Sequence, residues 1–287
     1  MVRSHYDPPE KTRTCPGFFV YRTVFQQGKR TLRSAHRYRS PSSRLEKIDA
    51  LRGAAMVWMT LFHLAYDLGF MGYWKQDFLT NPVWTIQRTC IVGLFIFCAG
   101  LGQAMAWEQQ QPWRQFVRRM RQILGCALLV TAASWMVFPK SFIYFGVLHA
   151  LAVMLLVARA TAGAKPAMLW IAGALALMAS PLAAWALAGP VQAWADTFNA
   201  PFLNWLGLIS RKPFTEDYVP LLPWLGVLWW GMAAGQWLLT HQTRWLQRPV
   251  AQWLQPFAFL GRWSLSYYML HQPVLLAALW LYGKTLA

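Results

Sequence analysis

Residues 48–70 read IDALRGAAMVWMTLFHLAYDLGF. The stretch is apolar enough to lie in a bilayer, and at 23 residues it is long enough to cross one as a helix. Yet it carries Asp49 and Arg52 near its start and His63 and Asp67 toward its end. Ionisable groups at membrane depth are costly, and they face a bundle interior or a wet cavity. Four on one span make it the first place to look for chemistry.

The spacing adds to this. Positions 49, 52, 56, 60, 63 and 67 recur every three or four residues, so Asp49, Arg52, Met56, Thr60, His63 and Asp67 fall on one helical face. Gly53 and Ala54 allow another helix or a ligand to come close. His63 and Asp67 are i,i+4 neighbours. A carboxylate there can orient an imidazole, as in base–orienter pairs. The alternative is a structural pair that fixes helix packing.

Outward from this stretch the chain has the same character. Of 287 residues, 56% are hydrophobic and only 13% charged, about half the charged share of a soluble domain. The apolar residues come in long runs near 48–69, 84–107, 118–138, 142–160, 166–188, 221–240 and 263–283. The expected fold is all-α, a polytopic transmembrane bundle of about seven spans, with an eighth helix an option within 189–220. Only Pro139, Lys140 and Ser141 separate the third and fourth runs, which predicts a tight turn. Aromatic residues between 189 and 220, among them Trp194, Phe198, Phe202 and Trp205, fit short segments lying at the interface.

The net charge of +17 is unevenly placed: residues 1–48 carry eleven Lys and Arg against Asp7, Glu10 and Glu46. That pattern reflects topology and contact with anionic lipid, and no nucleic-acid partner is expected. Arg114, Arg118, Arg119, Arg121, Arg159, Lys165, Arg244, Arg248 and Arg262 fall in alternate connections. Those connections and the N-terminus are therefore expected to be cytoplasmic. Residues 1–43 read as a basic, disordered cytoplasmic tail or as an over-extended gene start, ahead of a membrane domain over 44–287. Cys15, Cys90, Cys98 and Cys126 have no metal-ligand spacing, and no metal is expected.

With the N-terminus inside, Asp49 and Arg52 lie at the inner end of the first span and His63 and Asp67 toward the outer end. Arg88, His149 and Asp217 fall at similar outer depth. Ser264, Tyr267 and His271 share a face of the last span, where Pro273 frees the carbonyl of Met269 and a kink is expected. Gly93, Gly100 and Ala104 in the second run suit close helix packing.

Four segments resemble a known family. They are RLEKIDALRGAAMVWMTLFHLAYDL at Arg44–Leu68, FGVLHALA at Phe145–Ala152, EDYVPLLPW at Glu216–Trp224 and GRWSLSYYMLHQPV at Gly261–Val274. Together they are similar to the bacterial relatives of heparan-α-glucosaminide N-acetyltransferase. The resemblance implies transfer of an acetyl group from cytosolic acetyl-CoA to an amino-sugar or other glycan acceptor across the membrane. Acetyl-CoA, or another acyl-CoA, is then a co-substrate rather than a bound cofactor. It also implies that His63 is the reacting histidine, as base or acyl carrier. Asp67 would orient it, Asp49 and Arg52 would shape the donor entrance, and Arg88, His149, Asp217 and His271 would serve acceptor binding or proton handling. Expected partners are membrane lipid, the acyl-CoA and the acceptor, with a homo-oligomer left open. A transporter or a non-enzymatic subunit of an envelope assembly remains the alternative, as does a hydroxyl acceptor.

Overall fold

The computed structural model describes residues 45–286. The basic segment 1–43 lies outside the described residues. Every one of the seven apolar runs forms a helix, and no strand occurs among the described residues. In chain order the long helices are α1 (Glu46–Phe70), α2 (Pro82–Glu108), α3 (Trp113–Val137), α4 (Val147–Ala160) and α5 (Pro166–Ala188). They are followed by a short α6 (Ala195–Asn199), long α7 (Leu221–His241), short α8 (Thr243–Gln247), α9 (Gln255–Arg262) and long α10 (Ser264–Leu286).

Local chemistry sets several of these ends. Asn81 caps α2 through Oδ1, which accepts from the Val83 amide at 2.9 Å, and Pro82 occupies the first turn, where its missing N–H costs nothing. Pro166 opens α5 in the same way. The α3–α4 connection is longer than the expected tight turn. Residues 142–146 are apolar but not helical, and α4 begins only at Val147. Conversely, α3 begins at Trp113, because its arginine-rich first turns continue the helix beyond the apolar run.

Packing follows the small residues. α7 lies against α2 on one side and α5 on the other. A methyl group on Gly100 of α2 would overlap the Leu228 carbonyl of α7, and one on Gly231 would overlap the carbonyl of Phe97. Gly100 and Ala104 therefore pack as their spacing suggests, while Gly93 makes only an ordinary contact with Trp224. Ile96, Met154, Leu228 and Met232, from α2, α4 and α7, are fully buried at the centre. α1 rests on α2, α9 and α10.

The outside of the bundle is apolar. α3 exposes Leu128, Leu129 and Met136, and α5 exposes Ile171, Leu175 and Trp185. A soluble monomer does not present apolar surface on this scale. α2, α3 and α5 are long and apolar enough to cross a membrane by length and composition, and α4 is a shorter apolar helix. α1 falls short of that measure because of the polar residues it turns toward its neighbours. The chain is a helical membrane protein.

Candidate active site

The polar stripe of α1 meets different neighbours at its two ends. Asp49 to Asp67 spans eighteen residues, or about 27 Å of helix. At the Asp49 end, Arg52 Nη1 lies 3.1 Å from Asp49 Oδ1 and 3.5 Å from the carbonyl of Gly261 on α9. Both side chains are largely enclosed. α1 and α9 cross so closely that a methyl on Gly53 would overlap the Phe257 carbonyl, and one on Gly261 the Asp49 carbonyl. Glu46 joins the junction: its carboxylate accepts from the Val250 amide at 3.3 Å and from Arg262 at 3.5 Å. Beside them lies a cavity of about 510 Å³ lined by Glu46, Val250, Gln255, Phe259 and Arg262. α9 is the element that sequence reading missed, treating 241–262 as a plain connection. Its signal was present in QPFAFLGR, with Pro256 in the first turn and Ala258 and Gly261 three residues apart.

At the other end, α1 and α10 face each other residue by residue. Thr60 Oγ1 lies 2.7 Å from the Tyr267 hydroxyl. The His63 and His271 rings lie with centroids 5.1 Å apart, inclined at 60°. Asp67 accepts two hydrogen bonds from Gln272 Nε2, at 2.9 and 3.0 Å. The two faces inferred separately from spacing, Thr60–His63–Asp67 and Tyr267–His271, are thus two sides of one seam. Its residues are well enclosed: Asp67 is 3% and His271 9% exposed. Phe62 packs edge-on to His63, and Tyr267 lies parallel to His271 at 6.2 Å.

The expected partnership of His63 with Asp67 is corrected here. The two are i,i+4 neighbours, but the carboxylate reaches across to α10 and is engaged with Gln272. Pro273 lies inside α10, which continues through it from Ser264 to Leu286.

His149 and Asp217 meet at the N-terminus of α4. The Asp217 carboxylate accepts from the Val147 amide at 2.9 Å, a position open only because residue 146 is glycine and has no Cβ to collide with Asp217 Oδ2. His149 Nδ1 accepts from the Gly146 amide at 3.3 Å, and Nε2 meets Thr131 Oγ1 of α3 at 3.2 Å. Both ring nitrogens of His149 are therefore engaged, and it ties the α4 start to α3. The loop carrying Asp217 runs beside residues 141–145. The Glu216 amide donates to the Ser141 carbonyl at 2.9 Å, Ser141 Oγ to Glu216 Oε1 at 2.6 Å, and Thr215 Oγ1 to the Phe142 carbonyl at 2.8 Å.

Electrostatics link this loop to the seam. Burial raises the Asp217 carboxyl above the ordinary aspartate value, against the Val147 hydrogen bond and the charges of Lys212 and Arg88. Desolvation and the nearby Arg88 lower the Lys212 ammonium, while Asp217 pulls it back. Arg88, Lys212 and Asp217 are therefore near enough to influence one another's charge. Tyr66, on the turn of α1 beside Asp67, feels the charges of Glu216, Asp67 and Arg88. Tyr268 of α10 packs against the core cluster that contains Val147 and Val219. Nothing in the sequence links Lys212 to Arg88, which lies 124 residues away. No group of three or more His, Cys, Asp and Glu residues suited to a metal occurs among the described residues.

A single family match spans both the seam and the loop. A family model described as heparan-alpha-glucosaminide N-acetyltransferase, catalytic, matches residues 44–273. The chain belongs to that family. The match takes in all of α1 through α9 and the part of α10 that bears Tyr267, His271 and Gln272. The family is one of membrane acyltransferases, and the helical membrane bundle agrees with it. No curated protein and no solved structure matches the chain.

Proposed function

We propose that this protein is an inner-membrane acyltransferase that moves an acetyl or other acyl group from a cytosolic acyl-CoA to an amino-sugar or glycan acceptor on the far side, with His63 at the reacting centre. The observation that carries this reading is the enclosed α1–α10 seam, in which a half-buried histidine faces a second, buried histidine inside a family of acyltransferases.

The loop charges supply the direction. Arginine-rich connections flank the Asp49 end of α1, so that end faces the cytoplasm and the His63 end faces outward. The donor then approaches near Glu46 and Arg262, where the cavity lies, and the acceptor approaches near Arg88, Lys212 and Asp217. His63 takes a proton from the acceptor as it attacks the thioester carbonyl, or carries the acyl group on a ring nitrogen; the departing thiolate receives the proton. Asp49 and Arg52 contribute on the donor side chiefly by holding α9 against α1.

The test is transfer of labelled acetyl from acetyl-CoA to glucosamine by purified protein in lipid nanodiscs. His63→Ala is expected to lower transfer by about 10²–10⁴-fold or more, the range for loss of a general base, while eluting as a folded protein. Undiminished transfer by the folded variant would remove His63 from the centre. Absence of any acyl-CoA binding by the wild-type protein, together with substrate uptake into proteoliposomes, would replace the enzyme by a transporter.

A further inference from the structure

A histidine that works through one ring nitrogen needs its other N–H held by an acceptor, which fixes tautomer and orientation. On α1 the obvious acceptor is Asp67, one turn on. Its carboxylate has room for more than one donor, but it accepts from Gln272 Nε2 across the seam. Turning the Gln272 amide over would set its carbonyl oxygen against the carboxylate, so this assignment is fixed by chemistry.

The acceptor beside His63 is on α10. His271 Nδ1 lies 2.6 Å from the carbonyl oxygen of Tyr268. A carbonyl only accepts, so the proton sits on Nδ1, and Nε2 of the neutral ring presents a lone pair. That Nε2 is buried and has no hydrogen-bond partner. A buried acceptor without a donor is costly, and a nearby N–H would recover that cost. The His63 ring is that neighbour, at 5.1 Å between centroids. Rings at this separation, turned edge to edge, are spaced for one N–H···N bond of about 3 Å. Tyr267 lies parallel to the His271 ring, at 7°, and Tyr267 is itself tied to Thr60, so His271 is the fixed partner and half-buried His63 the one free to turn.

We propose that His271 is the positioning residue for His63, its Nε2 accepting the His63 N–H and leaving the other nitrogen of His63 toward the reacting groups. This rests on the reading of His63 as the reacting histidine. It moves the orienting role from Asp67, on the same helix, to α10, and makes the α1–α10 contact part of the site.

The experiment compares His271→Phe, His271→Gln and Asp67→Asn with wild type and His63→Ala, using acetyl-CoA and glucosamine as probes. His271→Phe keeps a ring against Tyr267 but has no acceptor. It is expected to lower kcat by about 100-fold or more, with both KM values within about threefold. His271→Gln restores an acceptor oxygen and is expected to retain at least about tenfold more turnover than His271→Phe. Asp67→Asn is expected to stay within about tenfold of wild type, since its partner is Gln272. Turnover by His271→Phe equal to or above that of His271→Gln overturns the proposal, because packing alone would then explain the residue. Should His271→Phe not fold, a loss of about 100-fold or more in Asp67→Asn overturns it, by returning the orienting role to the carboxylate. Wild type and all His271 variants active with His63→Ala inactive removes this proposal alone. A wild type that moves no acetyl group removes the functional reading as well.

Discussion

The two ends of α1 use the same ingredients, charged or titratable side chains three and four residues apart, to opposite effect. At the Asp49 end the charges are matched on the spot: Arg52 bonds Asp49 and the Gly261 carbonyl, and glycines draw the backbones of α1 and α9 together. At the His63 end each residue reaches across to α10, and the bonds formed leave His271 Nε2 and Gln272 Oε1 without partners. Native structures rarely leave buried polar atoms unpaired. The first end is therefore built to hold helices in place, and the second holds hydrogen-bonding capacity in reserve. Polarity in a membrane helix does not by itself identify a site, and neither does one open acceptor, since Asn204 Oδ1 and Gln236 Oε1 are buried without partners elsewhere; the second end stands apart because two histidine rings face each other there.

The largest expected effect breaks the first end. Arg52→Met removes one member of an enclosed ion pair, and a loss of that kind costs about 3–5 kcal/mol. The double variant Arg52→Met with Asp49→Asn removes both charges of the pair and should recover part of that loss. Thermal unfolding in detergent measures both. Turnover per folded molecule of the double variant should stay close to wild type if the pair is structural, and acetyl-CoA KM should rise if it also meets the donor.

Next in size is the crossing itself. Gly261→Val places a side chain where the Asp49 carbonyl lies, and overpacking of that kind costs about 1–3 kcal/mol. A lowered unfolding temperature is expected. Gly125, which has open space around it, should accept alanine with little change and serves as the control.

This division of α1 was only half legible in the sequence. Helix spacing put Asp49, Arg52, Thr60, His63 and Asp67 on one face, and the apolar runs gave all seven long helices, with 166–188 matching α5 at both ends. Those are local properties of the chain. What stayed hidden was who faces whom. Asp67 and His63 are neighbours on any helix, yet the carboxylate prefers an amide 205 residues away. An i,i+4 spacing shows that two side chains can meet, not that they do, when a third helix offers a better partner. The same holds for His149 and Asp217, whose shared place at the α4 N-terminus depends on Gly146 and on pairing between two distant loops. α9 was missed because its polar residues resemble those of a loop, and only its small face against α1 reveals it.

A smaller effect tests the loop that adjoins the seam. Asp217→Ala removes the acceptor at the start of α4 and is expected to cost about 1 kcal/mol, as for loss of a helix cap. Asp217→Asn keeps an acceptor and removes the charge. The folded protein holds the Asp217 proton to higher pH than the unfolded chain, whose aspartate titrates near 3.8. The folded state therefore binds more protons above that pH, and its stability falls as pH rises through the window between the unfolded and folded values. Wild type should lose unfolding temperature relative to Asp217→Asn as pH is raised from 4 to 7. A constant gap between the two would show that Asp217 ionises in the folded protein as it does in the unfolded chain.

The smallest effect separates the seam from the clamp most sharply. Tyr267→Phe removes the hydroxyl that meets Thr60 but keeps the ring parallel to His271. Hydrogen bonds between membrane helices average about 0.6 kcal/mol, so the unfolding temperature should hardly move. If the α1–α10 seam were only packing, turnover would hardly move either. If Tyr267 steadies the ring that in turn steadies His63, kcat should fall about three- to tenfold with KM unchanged, a loss out of proportion to the stability change. The Arg52 end is expected to behave in the opposite way, with large losses of stability and little of turnover. That crossing of effects along one helix is the measurable difference between a residue that holds the fold and one that holds the reacting centre.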